Sequence, residues 1–318
     1  MFWLTGGVVL LLSGILLYMA GELIVAGLVR LSRFFKITEF VVAFFVMAFA
    51  ASLPNLFVGI TSALQGIPEL SFGDIMGNNI IALTVAVALG ILFAPRRELP
   101  LENQTIQDTT FLTSIAAVLP LILISDGMIS RSDGLVLLLF FFGYVYWMFS
   151  KRERFTKVYE DEAGTPSRRE AFWDIVRLLG GVVLLAIAAQ GVVYGAELIA
   201  SGIGLSLLLV GIIVIGFGGA LPEIYFTVIS ARRGETGLIV GNLMGAVIIP
   251  ATFVLGVVAI IEPIENAALQ FSTMARVFLA LVAVFFLFVS QTKQVITKRE
   301  ALILLASYVF FVLAVLFI

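Results

Sequence analysis

The chain has no histidine and no cysteine among its 318 residues. That removes imidazole acid–base chemistry, thiol nucleophiles, disulfides and His/Cys zinc sites together. Charge is scarce as well: only 13% of residues are Asp, Glu, Lys or Arg, where a soluble domain carries roughly a quarter. The 19 Lys and Arg nearly balance the 21 Asp and Glu, giving a net charge of -2, and no basic tail offers nucleic acid an electrostatic footprint. What fills the chain instead is apolar: 61% of residues are hydrophobic and the mean hydropathy is +1.14. The natural partner of such a surface is the lipid bilayer, and any chemistry inside it falls to carboxylates, amides, hydroxyls and backbone carbonyls.

A hydrocarbon core about 30 Å thick takes roughly 20 apolar residues per helix. Runs of that length predict ten helices, near 4–29, 39–65, 70–93, 109–125, 132–150, 172–200, 206–231, 236–261, 272–290 and 299–317. The first lacks the basic flank of a signal peptide and is expected to be retained. Lys and Arg gather in alternate loops: Arg30, Arg33 and Lys36; Arg96 and Arg97; Lys151 through Arg169; Arg232 and Arg233; Lys293, Lys298 and Arg299. The positive-inside rule places those loops in the cytoplasm and both termini outside. The longest of them, 151–171, reads as a cytoplasmic linker between a first half, 1–150, and a second, 172–318.

The two halves echo one another. Ser52-Leu53-Pro54-Asn55 answers Ala220-Leu221-Pro222-Glu223, and Gly73-Asp74-Ile75-Met76-Gly77 answers Gly241-Asn242-Leu243-Met244-Gly245. Pro54 and Pro222, Ser62 and Ser230, Gly73 and Gly241, and Gly77 and Gly245 all stand at one constant offset, the mark of internal duplication. A shorter echo pairs Gly21-Glu22-Leu23-Ile24 with Ala196-Glu197-Leu198-Ile199. With five helices per half, the second copy enters the membrane upside down. The predicted fold is therefore an all-α polytopic membrane protein of ten transmembrane helices in two inverted-topology five-helix repeats, with Pro- and Gly-interrupted helices around a central site.

A carboxylate in mid-membrane costs at least about 2.5 kcal/mol to insert, so each is a functional candidate. Glu22, Asp74, Glu197 and Glu223 are the intramembrane acids expected, and Glu223, directly after Pro222, is the deepest. Its positional twin is Asn55. Asp74 and Asn78, four residues apart, share a helix face, while Ser52, Asn79, Asn242, Thr84 and Thr252 add further oxygens. Singly, each amide or hydroxyl reads equally well as an interhelical hydrogen bond, and Glu22 and Glu197 as carboxylates reaching the interface.

The paired Ser/Ala-Leu-Pro-Asn/Glu segments, each followed by Gly-Asp/Asn-x-Met-Gly, resemble the repeats of the cation/calcium antiporter superfamily, which includes sodium/calcium and proton/calcium exchangers. The resemblance runs over essentially the whole chain. It implies alternating access, with helices 1 and 6 sliding over the other eight and exposing a midplane site formed by helices 2, 3, 7 and 8. It places Glu223 at the second-repeat acidic ligand and Ser52 at a first-repeat hydroxyl ligand. Five positions depart from the pattern: Asn55 replaces the first-repeat acid, Gly219-Ala220 replaces a Thr-Ser pair, and Ala82 and Pro250 stand where further Asn or Asp ligands are expected. Asp74 is a sixth departure, an acid where Asn is usual, as Asn242 is in the second repeat.

Ca2+ takes about 6 to 8 oxygens, and its affinity follows carboxylate count. Glu223 as a single central carboxylate balances a proton or one monovalent cation but leaves Ca2+ half neutralised, Asp74 is the candidate second acid, and burial of Glu223 lets a proton compete with the cation. The expected function is secondary active cation antiport, needing no cofactor, with Ca2+, Na+ or H+ as cargo and altered Ca2+ selectivity. Glu223, Asn55, Ser52, Asn78, Asp74, Asn79 and Asn242 are the expected ligands. The alternatives are a monovalent-cation or proton-coupled exchanger and a transport-inactive relative. A channel would show filter loops, and an intramembrane hydrolase would need a Ser/Lys dyad; the spans hold neither, so an enzyme is not expected. A prokaryotic cell membrane is the expected location.

Overall fold

A computed structural model describes residues 2–34, 49, 51–95, 98–100, 104–150, 168–234, 236–265, 273–292 and 295–316. The chain is built almost wholly of helices. Val and Ile are poor helix formers in water, but lipid offers the backbone no partner except itself, so apolar runs close their hydrogen bonds internally whatever their propensity. The helices are α1 (Phe2–Phe34), α2 (Leu53–Leu64), α3 (Pro68–Phe93), α4 (Gln104–Leu123), α5 (Arg131–Ser150), α6 (Arg168–Ile203), α7 (Leu207–Arg232), α8 (236–261), α9 (Thr273–Thr292) and α10 (Lys298–Leu316). Among the described residues five are long and apolar enough to cross a membrane: Trp3–Leu28, Pro68–Phe93, Gln107–Asp126, Phe172–Ile203 and Leu207–Arg232.

The predicted spans agree with these to within a few residues, except that most of 39–52 lies outside the described residues. Pro54 lies at the start of the Leu53–Leu64 segment, and most of the predicted span before it lies outside the described residues. Pro222 lies inside α7. Helix α6 begins at Arg168 and so takes in the last residues of the expected linker; 151–167 lies outside the described residues.

α3 is the central rod. Between Pro68 and Ile91, every residue but Glu69 and Leu89 is buried. Its crossing with α7 brings the two backbones together: a Cβ on Gly211 would stand 2.6 Å from the Leu70 carbonyl oxygen, and one on Gly216 would stand 2.8 Å from the Asn78 nitrogen. α1 and α6 pack on each other along their length, with Trp3 against Gly202, Leu10 against Gly195 and Ile24 against Gly181. Their outer faces leave Leu11, Leu12, Ile15, Met19, Leu179, Val183 and Ile187 exposed, as a lipid-facing pair requires.

Contacts recur at the sequence offset of the duplication. Gly59 faces Val258, and Gly90 faces Thr227. Thr84 donates to the Ile80 carbonyl (2.5 Å), and Thr252 donates to that of Ile248 (2.6 Å). Both threonines sit in π-helical segments, Ala82–Ala86 in α3 and Ile249–Val254 in α8, where side-chain donation to the backbone accompanies the wider turn. Gly66 and Gly234, at φ +73° and +75°, make the turns after α2 and α7 in a backbone region that other residues rarely adopt. Two short antiparallel ribbons join the halves: β1 (Glu98–Pro100) pairs with β4 (Val295–Thr297), and β2 (Met128–Ile129) pairs with β3 (Ile264–Glu265).

Candidate functional site

The α3–α7 crossing that buries Gly211 and Gly216 opens one turn further along, at Gly219. The point where a Cβ on Gly219 would stand lies 3.7 Å from Asn55 Oδ1, 3.7 Å from Asp74 Oδ1 and 3.9 Å from Asn78 Oδ1, and these are its three nearest atoms. Two helices, α2 and α3, thus bring three acceptor oxygens round one point on α7. Asp74 is 1% exposed and Asn78 is fully buried, and the Oδ1 of each has no hydrogen-bond partner. The amide of Asn78 is oriented by its other end: Nδ2 donates to the Ala246 carbonyl at 3.2 Å, so the oxygen must face the opposite way.

Glu223 lies one turn beyond Gly219 on α7 and so shares its face. Its Oε2 is buried without a partner. Bare oxygens gathered in a low-dielectric interior repel one another, and each costs about 1 to 3 kcal/mol while unsatisfied. A cation, a proton or a donor between them relieves both penalties.

Of the seven ligands expected from the sequence, Asn55, Asp74 and Asn78 converge at Gly219, and Glu223 stands one turn beyond it on α7. Asn79 is buried with its Oδ1 unpartnered, and Asn242 has a buried, unpartnered Nδ2, but neither is among the atoms nearest that point. Ser52 is buried just before α2 and is likewise not among them. Ala82 and Pro250 each lie in a π segment and bring no ligating side chain. The hydroxyls of Thr84 and Thr252 serve their own helices. Among the described residues, no three acidic side chains come together.

A family model described as "Sodium/calcium exchanger protein" matches residues 5–150 and 173–317. The chain belongs to the sodium/calcium exchanger protein family. The inner membrane protein YrbG of Escherichia coli K12 is 31% identical over 284 residues, covering 83% of this chain and 82% of that protein. Among solved structures, the H+/Ca2+ exchanger CAX matches with a TM-score of 0.75 at 18% identity, covering 98% of this chain and 82% of that one. The sodium-calcium exchanger NCX_Mj matches with a TM-score of 0.63 at 23% identity, covering 98% of both chains. The fold of this exchanger family is therefore present from α1 to α10, and the chain is an integral membrane protein.

One acidic residue escaped the sequence reading. Asp174, in the first turns of α6, is 1% exposed and binds Arg30 of α1 at 2.8 Å and Arg177 at 3.2 Å. An acid three residues before Arg177, at the end of α6 that must meet the basic end of an antiparallel α1, was the available signal. Glu22 is exposed and accepts a hydrogen bond from the Tyr18 hydroxyl, while Glu197 is half-buried.

Proposed function

We propose that the chain is a secondary active cation antiporter that binds its cargo at the α3–α7 crossing. Asp74 and Glu223 supply the charge there, and Asn55, Asn78 and Ser52 supply neutral oxygens. The observation that carries this reading is the convergence on Gly219 of the buried, unpartnered oxygens of Asp74 and Asn78 from α3 with the Asn55 oxygen from α2, and Glu223 one turn away. Such a group is costly when empty and is stabilised by a positive charge, which is the property a transport site needs.

In this reading the ten helices form two inverted halves, 1–150 and 172–318, joined by a cytoplasmic linker with both termini outside. The contacts that repeat at the duplication offset support it, as does the crossing of the two ribbons between halves: β1 and β2 from the first each take a partner from the second. Alternating access then moves α1 and α6 as one body past α2, α3, α7 and α8. Their long glycine-knit contact and the Arg30–Asp174 bridge make them such a body. Gly21 of α1 rides directly on Pro54 of α2, 3.3 Å from the ring for a Cβ placed there, so a shift of α1 is felt beside Asn55.

The cargo follows from charge. Two carboxylates formally match one Ca2+ or two monovalent charges, but Gly219, Ala220, Ala82 and Pro250 bring no ligating side chains toward the about 6 to 8 oxygens that Ca2+ takes. The reading is therefore an exchanger with altered Ca2+ selectivity, in which protons compete for the two acids. Reconstitution in proteoliposomes tests it: cation uptake is expected to saturate, to require a second cation on the opposite face, and to disappear in Glu223→Gln. Tight Ca2+ binding that survives Asn55→Ala would contradict the weakened Ca2+ site.

A further inference from the structure

Resting on the site proposed above, we infer that Gly219 is the specificity-determining position of this exchanger: its missing side chain is the space in which a single dehydrated cation sits. A glycine inside a helix costs about 1 kcal/mol relative to alanine and so calls for a reason. Two ordinary reasons are absent. Gly219 is not one of the glycines with positive φ, which are Gly66, Gly127, Gly204 and Gly234, so its backbone asks for no special freedom. Nor does packing require it.

At Gly216 and Gly211, about one and two turns earlier on the same helix, an added Cβ would press on backbone atoms at 2.8 and 2.6 Å, and those positions must stay bare for α3 and α7 to meet. At Gly219 the nearest atoms are 3.7 Å away, an ordinary van der Waals separation into which a methyl group fits. A residue that costs helix stability, and that neither conformation nor packing demands, leaves its space to something other than protein.

The lining says what that is. All three nearest atoms are acceptor oxygens, two of them on side chains at most 1% exposed and without a partner. An apolar group placed there would leave those oxygens unsatisfied, and only a donor or a cation completes them. Hard cations bind oxygen at about 2.3 to 2.6 Å, so an ion drawn toward the oxygens from the Cβ point gains them as direct ligands, and a side chain on residue 219 displaces it. Gly218, its neighbour, has nothing within 4 Å of its Cβ point and is exposed, so it serves as the matched control.

The test is thermal melting of the purified full-length protein titrated separately with NaCl and CaCl2, for wild type, Gly219→Ala, Gly219→Ser, Gly218→Ala and Asp74→Asn. Gly219→Ala should keep the cation-free melting temperature and lose cation affinity by at least about tenfold. Gly219→Ser should lose less, because its hydroxyl adds an oxygen, and Gly218→Ala should stay within about twofold of wild type. Gly219→Ala binding within about twofold of wild type would overturn the inference, as would failure of both Gly219 variants to fold, because the clearance on which it rests would then be wrong. If Asp74→Asn loses binding while Gly219→Ala does not, only the role of Gly219 falls; if neither changes, the site itself lies elsewhere.

Discussion

Asp74 and Asn55 exchange roles relative to the pattern the repeats lead one to expect. The first-repeat acid is an amide at Asn55, and a carboxylate appears instead on α3 at Asp74, yet both oxygens face the same point at Gly219. Returning an acid to α2 adds charge to the site without moving the backbone. Asn55→Asp is therefore expected to raise Ca2+ affinity by roughly tenfold, since carboxylate count sets it, measured by calorimetry. An unchanged or weaker Ca2+ affinity would mean that residue 55 does not face the ion. Asp74→Asn is expected to have the opposite effect, lowering the affinity for every cation tested. Proton competition works through the same two acids. Cation binding should weaken as pH falls, because protonation removes the charge that holds the ion, and the slope should flatten in Glu223→Gln.

The helices include a packed crossing, α3 with α7, and a long pair, α1 with α6, and each makes its own demand on sequence. At the crossing, Gly216→Ala forces a methyl into the Gly77 and Asn78 backbone, and overpacking of that kind costs about 1 to 3 kcal/mol. The expected result is a lower melting temperature in both the presence and absence of cations, in contrast with Gly219→Ala. In the α1–α6 pair, Asp174 is buried and its partners Arg30 and Arg177 are partly exposed, so Arg30→Ala leaves Arg177 to hold the acid and should cost about 1 kcal/mol.

Most of this level was legible from apolar run length. The expected spans 70–93, 206–231 and 272–290 correspond to Pro68–Phe93, Leu207–Arg232 and Thr273–Thr292. The ribbons were not, because strands of two or three residues are too short to set up an alternating pattern. The π segments were equally hidden, since their signal is a single threonine in an apolar run.

Across the whole molecule, the duplication was the most informative feature of the sequence. Its offset reappears in the paired contacts Gly59–Val258 and Gly90–Thr227. Side-chain direction was not legible: Asn78 and Asn79 are neighbours in sequence, yet only Asn78 faces the Gly219 point, because successive helical residues point about 100° apart. Nor could run length separate Gly219 from the packing glycines, a distinction that needs the distances around each.

The proposed topology makes its own prediction. The chain has no cysteine, so single substitutions are clean reporters. Thr165→Cys should react with an impermeant thiol reagent only from the cytoplasmic side, and Asp126→Cys only from outside; the reverse pattern would invert the orientation.

The most direct measurement is cation counterflow in proteoliposomes holding wild-type protein or Glu223→Gln, with Na+, K+, Ca2+ and H+ varied on each face. Uptake that saturates, requires a cation on the opposite face and vanishes in Glu223→Gln is the predicted result. Uptake that proceeds with no cation opposite, or that persists unchanged in Glu223→Gln, would contradict an exchanger centred on the α3–α7 crossing.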